Sequence, residues 1–222
     1  MPTKREKFAE FESFQNCITL FWENLNKGFP LKGKWHKEHF KNQKPIVLEL
    51  GCGKGEYTIG LAQKHPEKNF IGVDIKGNRI WTGAKQATES KMENVAFIRT
   101  KIDFIDYCFE ENEVDDIWIT FPDPQPQSPR AKQRLTHKLF LDRYKKFLKK
   151  GGLVHLKTDS TSLYEFTLEV IAENKLSILW HTNDLYKNCP SDRQELVNIK
   201  THYETLFTAK GEDIKYICFR LN

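Results

Sequence analysis

An α/β fold with a doubly wound, mostly parallel sheet follows from three observations in the sequence. Short apolar runs alternate with amphipathic stretches from residue 46 onward, the order that strand–helix units produce. The first run, Val47-Leu48-Glu49-Leu50, opens directly into Gly51-Cys52-Gly53-Lys54-Gly55. The second ends on Asp74, about 20 residues further on, where a carboxylate accepts hydrogen bonds from both hydroxyls of a ribose. A nucleoside cofactor fits that pair of features.

Each element has its own signal. Phe8, Phe11, Phe14, Ile18, Phe21 and Leu25 recur at helical spacing, which predicts an amphipathic helix over the first 26 residues. Residues 27–44 read as an irregular basic arm, so 1–44 is expected to be an appendage to a catalytic domain of 45–222. Seven strands are predicted, at 46–50, 69–73, 95–99, 114–120, 152–157, 176–181 and 214–219. Helices are predicted on both faces at 56–64, 77–91, 137–148 and 161–174, with shorter ones near 103–109 and 201–209. The stretch 183–199 carries few apolar residues and reads as a loop.

With 39% hydrophobic residues in 222, the chain has enough apolar side chains for a real core. No apolar stretch approaches the roughly 20 residues of a membrane span, and the polar N-terminus lacks a signal peptide's apolar core. A cytoplasmic location without membrane contact is expected. The five cysteines are scattered with no C-x-x-C pair, which points to reduced thiols and to no metal site. The net charge of +5 is unevenly spread: nine basic residues lie between Arg130 and Lys150, against the single acid Asp142. A second basic tract, Lys27 to Lys44, interleaves with Phe29, Trp35 and Phe40. Such patches suit a polyphosphate partner, although a solvated helix face accounts for Lys145 to Lys150 as well.

Glycine spacing separates two nucleoside cofactors. A dinucleotide calls for a helix N-terminus facing its pyrophosphate and for the order G-x-G-x-x-G, whereas this chain reads G-x-G-x-G. Glu49 repels a pyrophosphate but suits the amino group of a methionine moiety, so S-adenosylmethionine (SAM) is favoured over NAD. Ligands of open sheets lie beyond the carboxyl ends of the strands. Four segments fall there: Glu49 to Gly55, Asp74, Thr120 to Pro126, and Lys157-Thr158-Asp159. Pro122, Pro124 and Pro126 fix the backbone of the third.

Five motifs carry a specific resemblance: Glu49-Leu-Gly-Cys-Gly-Lys-Gly, Ile71-Gly-Val-Asp74, Phe121-Pro-Asp-Pro with Lys132-Gln-Arg134-Leu135, Leu156-Lys-Thr-Asp159, and Thr201-His-Tyr-Glu204. In their order and spacing, the chain resembles the bacterial tRNA (guanine-N7)-methyltransferases over most of its length from the first strand onward. The resemblance implies a Rossmann-like class I methyltransferase whose last strand is antiparallel, with SAM as methyl donor and tRNA as substrate. It implies guanine 46 of the variable loop as the target. Glu49, Gly51, Gly53, Asp74 and Asp123 then line the SAM site, with Lys101 or Asp103 on the adenine side, depending on the length of the turn. Asp159, Thr201, Tyr203 and Glu204 hold the guanine, while Arg130, Lys132 and Arg134 contact the tRNA. Where the family usually reads Pro-Trp-Pro-Lys, this chain reads Pro124-Gln125-Pro126-Gln127, so Gln127 stands at a lysine's substrate position. No obligatory protein partner is implied, and a monomer or homodimer is expected.

Guanine N7 carries an exposed lone pair and no proton, so its attack on a sulfonium methyl requires no base and positioning is the main task. Carboxylates that accept from N1–H and N2–H push electron density toward N7 and offset the charge that appears on the ring. Asp123 and Asp159, ending adjacent strands, are the catalytic candidates. Asp159 has a plainer reading as the N-cap of the helix after it, a place open also to Thr158 or Ser160. Glu204 by spacing alone reads as a solvated helix residue, and His137 and His155 as structural. Three other functions compete. An adenine amino-methyltransferase lacks its aromatic after Phe-Pro-Asp-Pro; an NAD oxidoreductase conflicts with Glu49; a non-catalytic RNA-binding module leaves Glu49, Asp74, Asp123 and Asp159 without a role.

Overall fold

A computed structural model describes residues 2–221. One sheet holds β1 (Cys17–Thr19), β2 (Ile46–Leu50), β3 (Asn69–Asp74), β4 (Val95–Arg99), β5 (Val114–Thr120), β6 (Leu148–Thr158), β7 (Ser177–Thr182) and β8 (Lys215–Arg220). Their order is β1-β4-β3-β2-β5-β6-β8-β7. Every pairing from β1 to β6 is parallel, and β8 enters antiparallel to both β6 and β7. All seven expected strands are present, and the eighth is β1. The helices are α1 (Lys4–Ser13), α2 (Glu56–Lys64), α3 (Gly77–Glu89), α4 (Lys138–Tyr144), α5 (Thr161–Glu173), the short α6 (Leu185–Asn188) and α7 (Glu195–Asn198), and α8 (His202–Thr208).

A parallel strand covered on both faces is a nearly continuous apolar run, and β2 is buried at all five positions with Glu49 its one polar residue. Alternate side chains feed two cores. Leu48 and Leu50 pack with Phe140 and Tyr144 of α4 and Leu163 of α5. Val47, on the other face, packs with Tyr57 and Leu61 of α2 and Ile80 of α3. No helix is long and apolar enough to cross a membrane among the described residues.

The N-terminal segment departs from the expected long helix. A capping box between Thr3 and Glu6 starts α1, but the helix stops at Ser13. Beyond it β4 offers an unpaired edge, and the chain takes it: Phe97 N–H donates to Asn16 O at 2.7 Å and Leu20 N–H to Arg99 O at 3.0 Å. Satisfying that edge outweighs the helical spacing of Ile18 and Phe21. The aromatics of the basic arm turn inward. Trp35 is fully buried and its indole N–H donates to Cys108 O, while the Glu113 carboxylate accepts from Gly33 and Trp35 N–H. Phe29 and Phe40 pack beside Trp35, so these rings fill the core and are not free to stack on a nucleic acid.

The helix expected over 137–148 also ends early, at Tyr144, because residues 148–150 already belong to β6. Its charges are largely matched within the fold: Lys138 pairs with Asp142, Arg143 and Lys146 with Asp106, and Lys149 with Asp115. Arg130, Lys132, Lys145 and Lys150 have no ion pair among the described residues.

Candidate active site

A cleft of about 870 Å³ opens beyond the carboxyl ends of β2, β3, β4, β5 and β6, where the strand order reverses between β2 and β5. Its first half is made by the turn after β2. Gly53 lines the cleft with φ of +56°, a left-handed conformation that glycine adopts without strain, and the turn presents bare backbone there. At Gly55, φ +76°, a Cβ would stand 2.7 Å from the Phe97 ring, which ties the start of α2 to β4. Asp74 holds the turn in place: one carboxylate oxygen accepts from Gly53 N–H at 3.0 Å and the other from Lys76 N–H at 2.8 Å. Each oxygen retains a lone pair for the cleft. Lys101 and Asp103 both line the adjoining wall and both are exposed, so this side carries one charge of each sign.

Glu49 lies beneath this half, outside the cleft lining. It is 3% exposed, and its carboxylate accepts from Thr58 N–H at 2.8 Å and from the hydroxyls of Thr58 and Thr120. Burial pushes this carboxyl up to about 7; the bonds from Thr120 and Thr58 oppose the rise and the charge of Asp74 adds to it. Thr120, which donates to this carboxylate, does line the cleft and is the polar link between Glu49 and its interior.

The second half is assembled from distant parts. After β5 the chain passes Phe121 at φ +47° and Gln125 at φ +45°, a strained region for side chains of this size. Phe121 N–H donates to Lys157 O at 2.8 Å, and Asp123, exposed in the cleft wall, accepts from Gln125 N–H at 3.0 Å. Arg134 does not reach outward: its guanidinium donates to Pro124 O and Gln125 O and lies 4.3 Å from the centre of the Phe166 ring. It braces the 121–125 turn. Lys132 lines the cleft, while Arg130 and Gln127 are exposed outside it.

Ser160 caps α5, its hydroxyl accepting from Leu163 N–H at 3.2 Å, and this leaves Asp159 free of the capping role. Asp159 is half-buried in the cleft wall. Burial raises its carboxyl above the usual range, against the pull of its own backbone N–H and of Lys215. Of the Thr-His-Tyr-Glu motif, Thr201, His202 and Tyr203 line the cleft. Glu204 points the other way. It is fully buried, 2.7 Å from the Lys157 ammonium, and accepts from the Tyr186 hydroxyl at 2.8 Å. Lys157 also donates to Leu196 O at 2.5 Å, so one buried cation links β6 to α7 and α8. Phe207 lines the cleft too and escaped the sequence reading, although its place four residues after Tyr203 puts both rings on one helix side.

A parallel sheet in this order, with β8 antiparallel between β6 and β7, is the Rossmann-like architecture of class I methyltransferases. Solved structures agree on the fold: 16S rRNA methyltransferase KamB superposes with TM-score 0.60 at 11% identity, covering 89% of this chain and 91% of that one. Haemonchus contortus phosphoethanolamine N-methyltransferase 2, in complex with S-adenosyl-L-methionine, gives 0.52 at 14% identity over 98% of this chain and 57% of that one. Residues 43–217 match the family described as "Putative methyltransferase". The chain is 52% identical over 219 residues to the tRNA (guanine-N(7)-)-methyltransferase of Christiangramia forsetii, covering 98% of this chain and 97% of the relative. The enzyme of that name from Clostridium acetobutylicum is 40% identical over 86% of this chain and 87% of its own length. The chain belongs to the tRNA (guanine-N(7)-)-methyltransferase family.

Proposed function

We propose that this chain methylates N7 of guanine 46 in the variable loop of tRNA, with Asp159 gripping the base, and that it works in the cytoplasm as a monomer or homodimer. SAM-dependent methylation of guanine N7 in tRNA is the activity of its family. The residues present fit SAM: Gly53 leaves room for a ligand against bare backbone, Asp74 accepts from ribose hydroxyls, and Glu49 draws the amino group from below. Bound there, SAM supplies a methyl group on cationic sulfur. In this reading Lys101 and Asp103 flank the adenine side, and Asp123, a lining residue of the same cleft, also faces the cofactor. Asp159 accepts from the guanine N1–H and N2–H edge, which feeds electron density to N7. Lys132 and Arg130 meet phosphates of the tRNA.

The observation that carries this reading is Asp159. Its carboxylate lines the cleft with the helix cap taken by Ser160, so it is available to a ligand. Incubation with labelled SAM and unmodified total tRNA, followed by nucleoside analysis, is expected to give N7-methylguanosine. Its cationic ring also makes the RNA cleavable at that nucleotide after borohydride and aniline. Asp159→Asn is expected to lower kcat/KM for tRNA by about thirty- to a thousand-fold with SAM affinity unchanged. Wild-type rates in that variant would remove Asp159 from the base site.

A further inference from the structure

Between Asp159 and the strained turn after β5, the cleft wall is aromatic. Phe121, Phe207 and Tyr203 all line it. The Phe121 and Phe207 rings have centroids 6.2 Å apart and planes 21° apart; Phe207 and Tyr203 are 6.4 Å and 22° apart. Both pairs are stacked with their centres offset, so the three rings form a continuous apolar run along the wall.

We infer that Phe207, flanked by Phe121, forms a platform on which the target base lies, and that the ring faces favour the cationic form the base acquires on methylation. This rests on the guanine-N7 reading above. Two features say that the surface is held for a ligand. Phe121 sits at φ +47°, a conformation a bulky side chain keeps only where its surroundings impose it. Tyr203 is 41% exposed and Phe207 only part-buried, so apolar rings face water unless something planar covers them.

The chemistry supplies the reason for rings rather than further carboxylates. The N7 lone pair forms a bond to the methyl carbon, the carbon–sulfur bond breaks with its pair remaining on sulfur, and no proton moves. One positive charge leaves the sulfur and appears on the purine. The face of an aromatic ring carries the negative part of its quadrupole, so it attracts the purine more as the reaction proceeds. Labour is divided by direction: Asp159 reads the edge of the base, and the rings cover its face.

The test uses the full chain, SAM and unmodified tRNA in single-turnover reactions. Wild type must first make N7-methylguanosine; if it does not, the guanine-N7 reading fails and this inference falls with it. Given an active wild type, Phe207→Leu is expected to slow transfer by about ten- to a hundred-fold while SAM affinity by calorimetry stays the same. Replacing Phe207 by phenylalanines of increasing fluorination keeps the shape and weakens the quadrupole. The logarithm of the rate is expected to fall stepwise along that series, by about three- to thirty-fold in all. A wild-type rate for Phe207→Leu overturns the platform, and a flat fluorine series overturns the charge role even if Phe207→Leu is slow. Should Phe207→Leu fail to fold, the fluorinated series alone decides.

Discussion

Asp74 and Asp159 end two strands of the same sheet at the same rim, yet they are held in place by different means. Asp74 is fixed by backbone N–H groups of its own loop and of the neighbouring glycine turn. Around Asp159, by contrast, the wall joins residues 121–125, Lys132, Gln133, Leu135, residues 201–203 and Phe207, pieces far apart in the chain. What unites them is buried: Lys157 reaches Glu204, Leu196 and Ile199 from β6, and Arg134 reaches the 121–125 turn from below. The cofactor half is thus specified locally, and the base half depends on a few long-range polar ties. Mutations should separate the two.

The largest effect is expected at Lys157. Burial draws its ammonium below the ordinary lysine range and Glu204 opposes this, so Lys157→Met leaves a buried carboxylate without its cation. Stability to urea should drop by about 3–5 kcal/mol, the cost of breaking a buried pair from one side. The protein that stays folded should lose tRNA methylation before it loses SAM binding. A variant as stable as wild type would show that α8 is held by packing alone.

Asp74→Ala should do the reverse, weakening SAM binding by about 1.5–3 kcal/mol while tRNA affinity and stability persist. Unchanged SAM affinity in calorimetry would remove Asp74 from the cofactor half. Glu49 gives a smaller, pH-dependent effect with a definite sign. Its carboxyl titrates at about 7 in the fold against an ordinary 4.5, so the folded chain holds the extra proton between those values and its own stability falls as pH rises through that window. An arriving ammonium favours the ionised form. SAM affinity should therefore rise with pH up to about 7, by up to roughly tenfold per unit, and Glu49→Gln should flatten the profile. A wild-type profile that is already flat between about pH 5.5 and 7.5 would sink this assignment.

The smallest effect concerns the rim. Neutralising Arg130 and Lys132 together should lessen the log–log salt slope of tRNA binding by about 1.4–1.8, because two phosphates then keep their counterions. Arg134→Ala should hardly alter that slope, because its guanidinium is committed to Pro124 and Gln125, but it should slow methylation. A slope that responds to Arg134 instead would reverse the roles of rim and brace.

The same division decided what the sequence made legible. Strand β2, the glycine turn and Asp74 are contiguous or one crossover apart, and spacing alone placed them. The helical pattern from Phe8 to Leu25 misled because the open edge of β4, absent from any local pattern, captures residues 17–19. Glu204 could not be placed by spacing, since its burial depends on Lys157, 47 positions away. Arg134 looked like a phosphate ligand for a similar reason: its partners are carbonyls, which leave no mark in composition. Phe207 carries no motif of its own, and its place in the wall comes with Phe121, a ring stacked on it from 86 positions away in the chain.

The position of β8 bears on how the molecule comes to be folded at all. Both of its neighbours, β6 and β7, precede it in the chain, and β7 pairs with no other strand among the described residues. Until residues 215–220 slide between them, β6 shows a bare edge and β7 has nothing to bond. Closing such long-range pairings is slow, and unpaired edges attract other chains in the meantime. The corner that carries Lys157 and Asp159 lies on β6 beside Tyr216 and Lys215, so the base half should acquire its final form later in folding than the glycine turn.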